Sequence, residues 1–286
     1  MKNIGFIGVG VMGASMVRNL MKNGFNVSVY TRTKEKAAGV IDEGAAWRGS
    51  VAQCAAGQDA IITMVGYPKD VEEVYFKEAG IIASASPGTH LIDMTTTSPA
   101  LSARIQSAAA ARGLSAVDAP VSGGDVGARN GTLSIMAGGD REAFDKCQPL
   151  LSAMGTARYV GPAGAGQHAK MANQIALAGA IAGVCEAIAY TKSMGLDVQT
   201  VLNCISRGAA GSWQMDNMAP RMLDDDMAPG FFIKHYIKDM DIALEEAELA
   251  GRHLPILNQV AKEYRSLSEK GMDDLGTQAL IRYYEG

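Results

Sequence analysis

Cysteine is sparse in this chain of 286 residues: Cys54, Cys147, Cys185 and Cys204 lie far apart with no paired spacing, which argues against a disulfide framework and a zinc site. Basic clusters are missing too. The net charge of -4 leaves no concentrated excess of Lys and Arg, so a general nucleic-acid binder is not expected. The N-terminus, MKNIGFIGVG, passes directly into a strand and a glycine loop, without room for the charged, apolar and cleavage regions of a signal peptide. A reducing cytoplasm is the expected location. No long apolar run is uninterrupted: the stretch from Ile175 to Ala189 contains Glu186 and is rich in Ala and Gly, which reads as a buried helix and not as a membrane span. Internal repeats and low-complexity tracts are also lacking, and the acidic run Asp224 to Asp226 before Pro229-Gly230 reads as a solvated loop without a metal.

What is present is an alternation. Short β-rich runs at Asn3 to Ile7, Asn26 to Tyr30, Ala60 to Met64, His90 to Asp93, Leu114 to Ala119 and Thr132 to Ala137 are separated by Ala-rich stretches with helical spacing. Helical segments such as Gly13 to Asn23 and Ala100 to Arg112 run into Gly24 and Gly113, where a helix-terminating glycine belongs. This pattern predicts a doubly wound α/β sheet over residues 1–162. After Tyr159 the turn Gly161-Pro162-Ala163-Gly164 precedes a helix expected from about Gly166 to Met194, and nothing later alternates like a strand. Residues 163–286 are therefore expected to form an all-α domain.

Gly8-Val9-Gly10-Val11-Met12-Gly13 lies between the first strand and the first helix, the context that gives a GxGxxG pattern meaning as a Rossmann dinucleotide loop. Gly8 permits the tight turn, Gly10 lets a pyrophosphate approach, and Gly13 lets helix and strand pack. The helix start at Val11 and Met12 supplies amides. The second strand ends at Thr31-Arg32-Thr33, without the acid that usually holds the ribose hydroxyls of NAD. Arg32 can pair with a 2′-phosphate, with hydroxyls from Thr31 and Thr33 and further charge from Lys36, so NADP(H) is favoured over NAD(H). Met64, Val65 and Thr96, at the carboxyl ends of later strands, are further expected cofactor contacts.

For the reacting end, Ser122, Gly123 and Gly124 offer a hydroxyl and exposed amides to a substrate carboxylate. Lys170, Asn173 and Gln174 share one helix face at i, i+3 and i+4. Hydride delivery to a carbonyl creates an alkoxide, and Lys170 can give it a proton. On spacing alone, a lysine in an apolar helix is more often a snorkelling surface residue. His168, two residues earlier, points elsewhere and is read as structural. Lys234 and Lys238 fall on one face of a later amphipathic helix that follows an aromatic pair.

Through IGFIGVGVMGASM, DMTTTSP, DAPVSGG with GARNGTL, GAGQHAKMANQ and PGFFIKHYIKDMDIAL, the chain resembles the β-hydroxyacid dehydrogenase family essentially from end to end. The resemblance implies Lys170 as the catalytic residue, Ser122, Gly123 and Gly124 as substrate contacts, Asn173 or Gln174 at the reacting end, and Lys238 as a cofactor contact. Trp213 lies in a region that resembles the wall of the substrate pocket. Two positions depart from the family pattern: Asn173-Gln174 stands where two asparagines are common, and Val65-Gly66 where Leu-Pro is common. The first leaves open which amide acts. The expected activity is reduction of glyoxylate, succinic semialdehyde or tartronate semialdehyde, with 3-hydroxyisobutyrate oxidation as the alternative. A homodimer or homotetramer is expected, and a membrane association is not. A non-catalytic dinucleotide-binding scaffold is the contrasting class, and the presence of Lys170 counts against it. The His-Asn pair and longer helical domain of 6-phosphogluconate dehydrogenase, and the Asp or Tyr with which imine reductases replace the lysine, are not found here.

Overall fold

In the computed structural model, which describes residues 1–285, strand β1 (Asn3–Ile7) is buried at every position after the first, as a central strand covered on both faces must be. Its neighbours are parallel: β2 (Asn26–Tyr30) on one side, with the short β3 (Ala46–Trp47) beyond it, and β4 (Ala60–Thr63) on the other. Outward from β4 follow β5 (His90–Asp93) and β6 (Ser115–Asp118), also parallel. The order β3-β2-β1-β4-β5-β6 reverses direction at β1, which creates the crevice where ligands of open α/β sheets bind. Beyond β6 the sheet is mixed. β7 (Val121–Ser122) and β6 both pair antiparallel with β8 (Leu133–Gly139), and β9 (Gly155–Gly161) pairs parallel with β8.

The sequence pattern located β1, β2, β4, β5, β6 and β8 and missed three strands. β3 and β7 have two residues each, too short to carry a period of two. β9 alternates between half-buried and exposed positions, but its inward side chains include only Ala157 and Tyr159 between terminal glycines, which leaves a weak apolar signal.

Successive residues of each central strand enter opposite cores, as the pleat requires. Ile4, Phe6, Ile62, Ile92 and Val117 join one cluster, whereas Ile7, Ile61, Leu91 and Ala116 join the other together with Tyr75 and Ile105. Cys54, Cys147 and Cys185 are buried thiols and Cys204 is exposed.

By internal contacts the chain divides into one unit from Met1 to Lys170 and a second from Met171 onward. The division falls inside the Ala165–Ser193 helix, within a residue at each end of the expected span. This helix is long and apolar enough to cross a membrane by length and composition. In the second unit its side chains Ala178, Ile181, Val184, Cys185 and Ile188 belong to the helical core, with Tyr236, Leu257 and Tyr264. Tyr236 and Tyr264 meet edge to face at 5.2 Å between ring centroids. Among the described residues of this unit, the only β-pairing is an isolated bridge between Phe232 and Gly276.

Gly166 is sterically demanded: a Cβ there would lie 2.5 Å from the Met136 carbonyl oxygen and 2.6 Å from that of Asp118. Gly183, in the same helix, would meet nothing within 4 Å. Urea unfolding is expected to show Gly166→Ala destabilised by at least about 1–3 kcal/mol through overpacking. Gly183→Ala is expected to gain up to about 1 kcal/mol from helix propensity.

Candidate active site

The glycine loop joins β1 to the Val11–Lys22 helix, whose N-cap is Gly10. Gly8 has φ +105°, and a Cβ there would stand 2.1 Å from the Met64 carbonyl oxygen. A Cβ on Gly13 would stand 2.1 Å from the Gly8 carbonyl oxygen, so both positions are closed by the chain's own packing. Gly10 differs. Its Cβ would meet no protein atom within 4 Å, and the residue is exposed. No side chain caps this helix start and no acid lies in its first turn, so the amides around Val11 and Met12 and the positive end of the helix dipole face a space without a competing anion from their own helix. The loop fits a dinucleotide pyrophosphate.

Around it stand the other residues expected at the cofactor. Thr31 is half-buried, and Arg32 and Thr33 are exposed just after β2, with Lys36 exposed in the next turn. Arg32 is not isolated: its Nη1 lies 3.0 Å from Asp70 Oδ1. Met64, Val65 and Thr96 are half-buried near strand ends, and the Val65 N–H donates to Thr95 Oγ1 at 3.0 Å, so that donor is engaged inside the protein.

At the expected reacting end, Lys170 is buried, with 7% of its surface exposed, whereas His168 is exposed. The snorkelling alternative does not hold. Lys170 Nζ donates to the Val121 carbonyl oxygen at 2.9 Å, which brings the lysine beside Ser122, Gly123 and Gly124. Ser122 and Gly124 are half-buried and Gly123 is exposed, with φ +126° and +62° at the two glycines.

Two buried acids and one amide fix this placement. Asp118, the last residue of β6, accepts from the Gly164 N–H at 2.9 Å and the Gln167 N–H at 3.0 Å, capping the start of the helix that carries Lys170. Gln167, fully buried, accepts from the Thr97 N–H at 3.0 Å and donates to the Thr95 carbonyl oxygen at 2.9 Å, stapling the DMTTTSP turn to the same helix. Asp93, the register partner of Asp118 in β5, accepts from Thr63 Oγ1 at 2.7 Å and the Thr95 N–H at 3.1 Å through one oxygen. Burial pushes both carboxyls up to about 6, against the pull of these hydrogen bonds.

In the second unit Gln174 is fully buried with both amide ends engaged: Nε2 donates to Asp239 Oδ2 at 2.6 Å, and Oε1 accepts from Asn173 Nδ2 at 2.8 Å. Lys238 Nζ lies 2.9 Å from Asp239 Oδ1. Trp213 is 56% exposed at the start of a short helix.

The profile of the NAD binding domain of 6-phosphogluconate dehydrogenase matches residues 3–163, and that described as NAD-binding of NADP-dependent 3-hydroxyisobutyrate dehydrogenase matches residues 164–284. The chain is 53% identical to the uncharacterized oxidoreductase YkwC of Bacillus subtilis, with 99% of each chain covered. It is 34% identical to the 3-hydroxyisobutyrate dehydrogenase of Pseudomonas aeruginosa, again over 99% of each. The chain belongs to the β-hydroxyacid dehydrogenase family. Its backbone superposes on Mycobacterium tuberculosis 3-hydroxyisobutyrate dehydrogenase, a structure described with L-serine, with a TM-score of 0.90, 29% identity and full coverage of both chains. This dehydrogenase therefore uses a nicotinamide cofactor and has the expected architecture, a Rossmann sheet followed by helices.

Sequence reasoning missed the supporting groups of this dehydrogenase. Asp118 and Asp93 each end an apolar strand, a position from which an acid can reach a helix start, and Asp70 follows Tyr67-Pro68 as an acid at the third helical position. Asp239 and Gln167 carried no such local sign.

Because the folded carboxyls of Asp93 and Asp118 titrate near 6 and the ordinary aspartate value is 3.8, the fold binds more protons than the unfolded chain between those values. Their stabilising share is complete below the unfolded value and is lost as pH rises through about 6. Asp93→Asn keeps an acceptor for Thr63 and Thr95 and removes the buried charge. Relative to the parent, it is expected to be more stable at pH 8 than at pH 5, by about 1–2 kcal/mol in urea unfolding, since only the last unit of the 3.8-to-6 span lies between those pH values. An equal difference at both pH values would contradict the raised carboxyl.

Proposed function

We propose that this chain is an NADP(H)-dependent reductase of small aldehyde or keto acids, of the glyoxylate, succinic semialdehyde or tartronate semialdehyde type, with Lys170 as the general acid. The observation that carries this reading is the buried Lys170 with its ammonium nitrogen 2.9 Å from the Val121 carbonyl, one residue before Ser122. The cofactor, when bound, supplies the hydride. As the carbonyl carbon gains that hydride, its oxygen takes a proton from the Lys170 ammonium; in the oxidative direction neutral Lys170 accepts the hydroxyl proton. The Ser122 hydroxyl and the amides of Gly123 and Gly124 hold the substrate carboxylate. We assign Asn173 as the acting amide, because Gln174 is committed to Asp239 and to Asn173 itself. Lys238, paired with Asp239, and the wall residue Trp213 keep the roles that the family resemblance implies.

Gly8, Gly10, Val11, Met12 and Gly13 receive the pyrophosphate, and Met64, Val65 and Thr96 line the path toward the reacting end. Arg32, with Thr31 and Thr33, meets the 2′-phosphate, a reading supported by the absence of an acid at the end of β2. The 3-hydroxyisobutyrate and L-serine names carried by relatives support oxidation of a small 3-hydroxy acid such as 3-hydroxyisobutyrate as the second reading. A homodimer or homotetramer would cover Tyr190, Met194, Leu196, Leu249 and Ile256, which the second unit leaves exposed.

A panel of short aldehyde, keto and hydroxy acids assayed with NADPH and NADH tests the substrate class; activity confined to 3-hydroxyisobutyrate or serine would replace the first reading with the second. Lys170→Ala is expected to lower kcat by about 10²–10⁴-fold, the usual contribution of a general acid, with cofactor affinity retained. Near-normal turnover would remove Lys170 from the mechanism.

A further inference from the structure

An acid is missing from the end of β2, yet a carboxylate stands there in space. Asp70 belongs to the helix Pro68–Phe76 that follows β4, and β2 and β4 are the two strands that flank β1. The loops leaving these strands therefore reach the glycine loop from opposite sides. Asp70 Oδ1 lies 3.0 Å from Arg32 Nη1, while Asp70 Oδ2 accepts from the Tyr67 N–H at 3.0 Å in a capping box whose helix has Pro68 in its first turn. The pair is asymmetric. The Asp70 side chain is 6% exposed and fixed by its helix, whereas the Arg32 side chain is 71% exposed. The anion therefore decides where the cation rests. Glu73, one turn later, feels the same cation: its carboxyl is lowered chiefly by Lys77, and Arg32 adds to the shift.

We propose that Asp70 is a specificity-determining residue of the cofactor site: it occupies Arg32 and so opposes recognition of a 2′-phosphate, leaving the site open to NAD(H) as well as NADP(H). This rests on the assignment of Arg32 to the 2′-phosphate. A phosphate dianion at Arg32 has to share the guanidinium with a fixed carboxylate and bear its repulsion. A 2′-hydroxyl bears no such cost. Holding Arg32 in place offers the phosphate some preorganisation, but for one exposed side chain this is the smaller effect. Lys36, exposed in the turn after Arg32, keeps the surroundings cationic enough for NADP(H) to bind.

The test is calorimetric titration of the full chain with NADP⁺ and NAD⁺, and with adenosine 2′,5′-bisphosphate and 5′-AMP as fragment probes, none of which requires the substrate to be known. Asp70→Asn retains an acceptor for the Tyr67 N–H and removes the charge. It is expected to tighten NADP⁺ and the bisphosphate by about tenfold, the size of one like-charge repulsion near the surface, with NAD⁺ and 5′-AMP unchanged. Asp70→Glu, which restores the charge, is expected to bind as the parent does, and the melting temperatures of both variants check the fold. Unchanged or weaker NADP⁺ binding in Asp70→Asn overturns the proposal, as does the same gain when Arg32 is already Ala. If Arg32→Ala leaves NADP⁺ affinity intact in the parent and in Asp70→Asn alike, the assignment of Arg32 itself fails, and that result is distinguishable from failure of Asp70 alone.

Discussion

The position of Lys170 depends on how Asp118 meets the start of the long helix. Its two oxygens accept from the backbone amides of Gly164 and Gln167, donors that a helix start cannot satisfy internally, and its charge lies at the positive end of the helix dipole. Hydrogen bonds to an ionised group are worth roughly 1.5–3 kcal/mol each, so the pair offsets a substantial desolvation cost. Desolvation still outweighs them, as the carboxyl's rise to about 6 shows. Gly166 serves this contact, since any side chain there would displace the carboxylate it approaches. With the first turn pinned to the end of β6, Lys170 falls one turn further along, at the Val121 carbonyl.

A second buried acid plays a similar part at Gln174. In the second unit Gln174 is a structural hub, with Asp239 on one side and Asn173 on the other, and its own carbonyl accepts from the Tyr236 hydroxyl at 3.0 Å. Asp239 in turn holds Lys238, so a buried acid orients both an amide pair and a cation. Such a network restricts rotamers that would otherwise be free, which is what a site requires of the groups supporting its reacting residues.

Much of this was legible from local pattern. The strands β1, β2, β4, β5, β6 and β8 are short apolar runs between turn residues, and the Ala165–Ser193 helix follows from an unbroken stretch without strand-like alternation. The glycine loop is local as well, since strand, turn and helix are contiguous. Weak alternation hid β9, and two-residue strands such as β3 and β7 carry no period at all.

The sequence by itself determined the architecture and the dinucleotide loop, because each is encoded within a window of neighbouring residues; Lys170 with DAPVSGG as the reacting end is what the family resemblance implies. Tertiary structure decided the rest: that Lys170 is buried and not snorkelling, that Gln174 is consumed by Asp239, and that Arg32 faces a carboxylate from another strand's helix. These pairings join residues far apart in sequence, 49 positions for Lys170 and Val121 and 65 for Gln174 and Asp239. No periodicity within either segment registers such a partner. Only the order of strands around β1 and the packing of helices bring the two ends of each interaction within hydrogen-bonding distance.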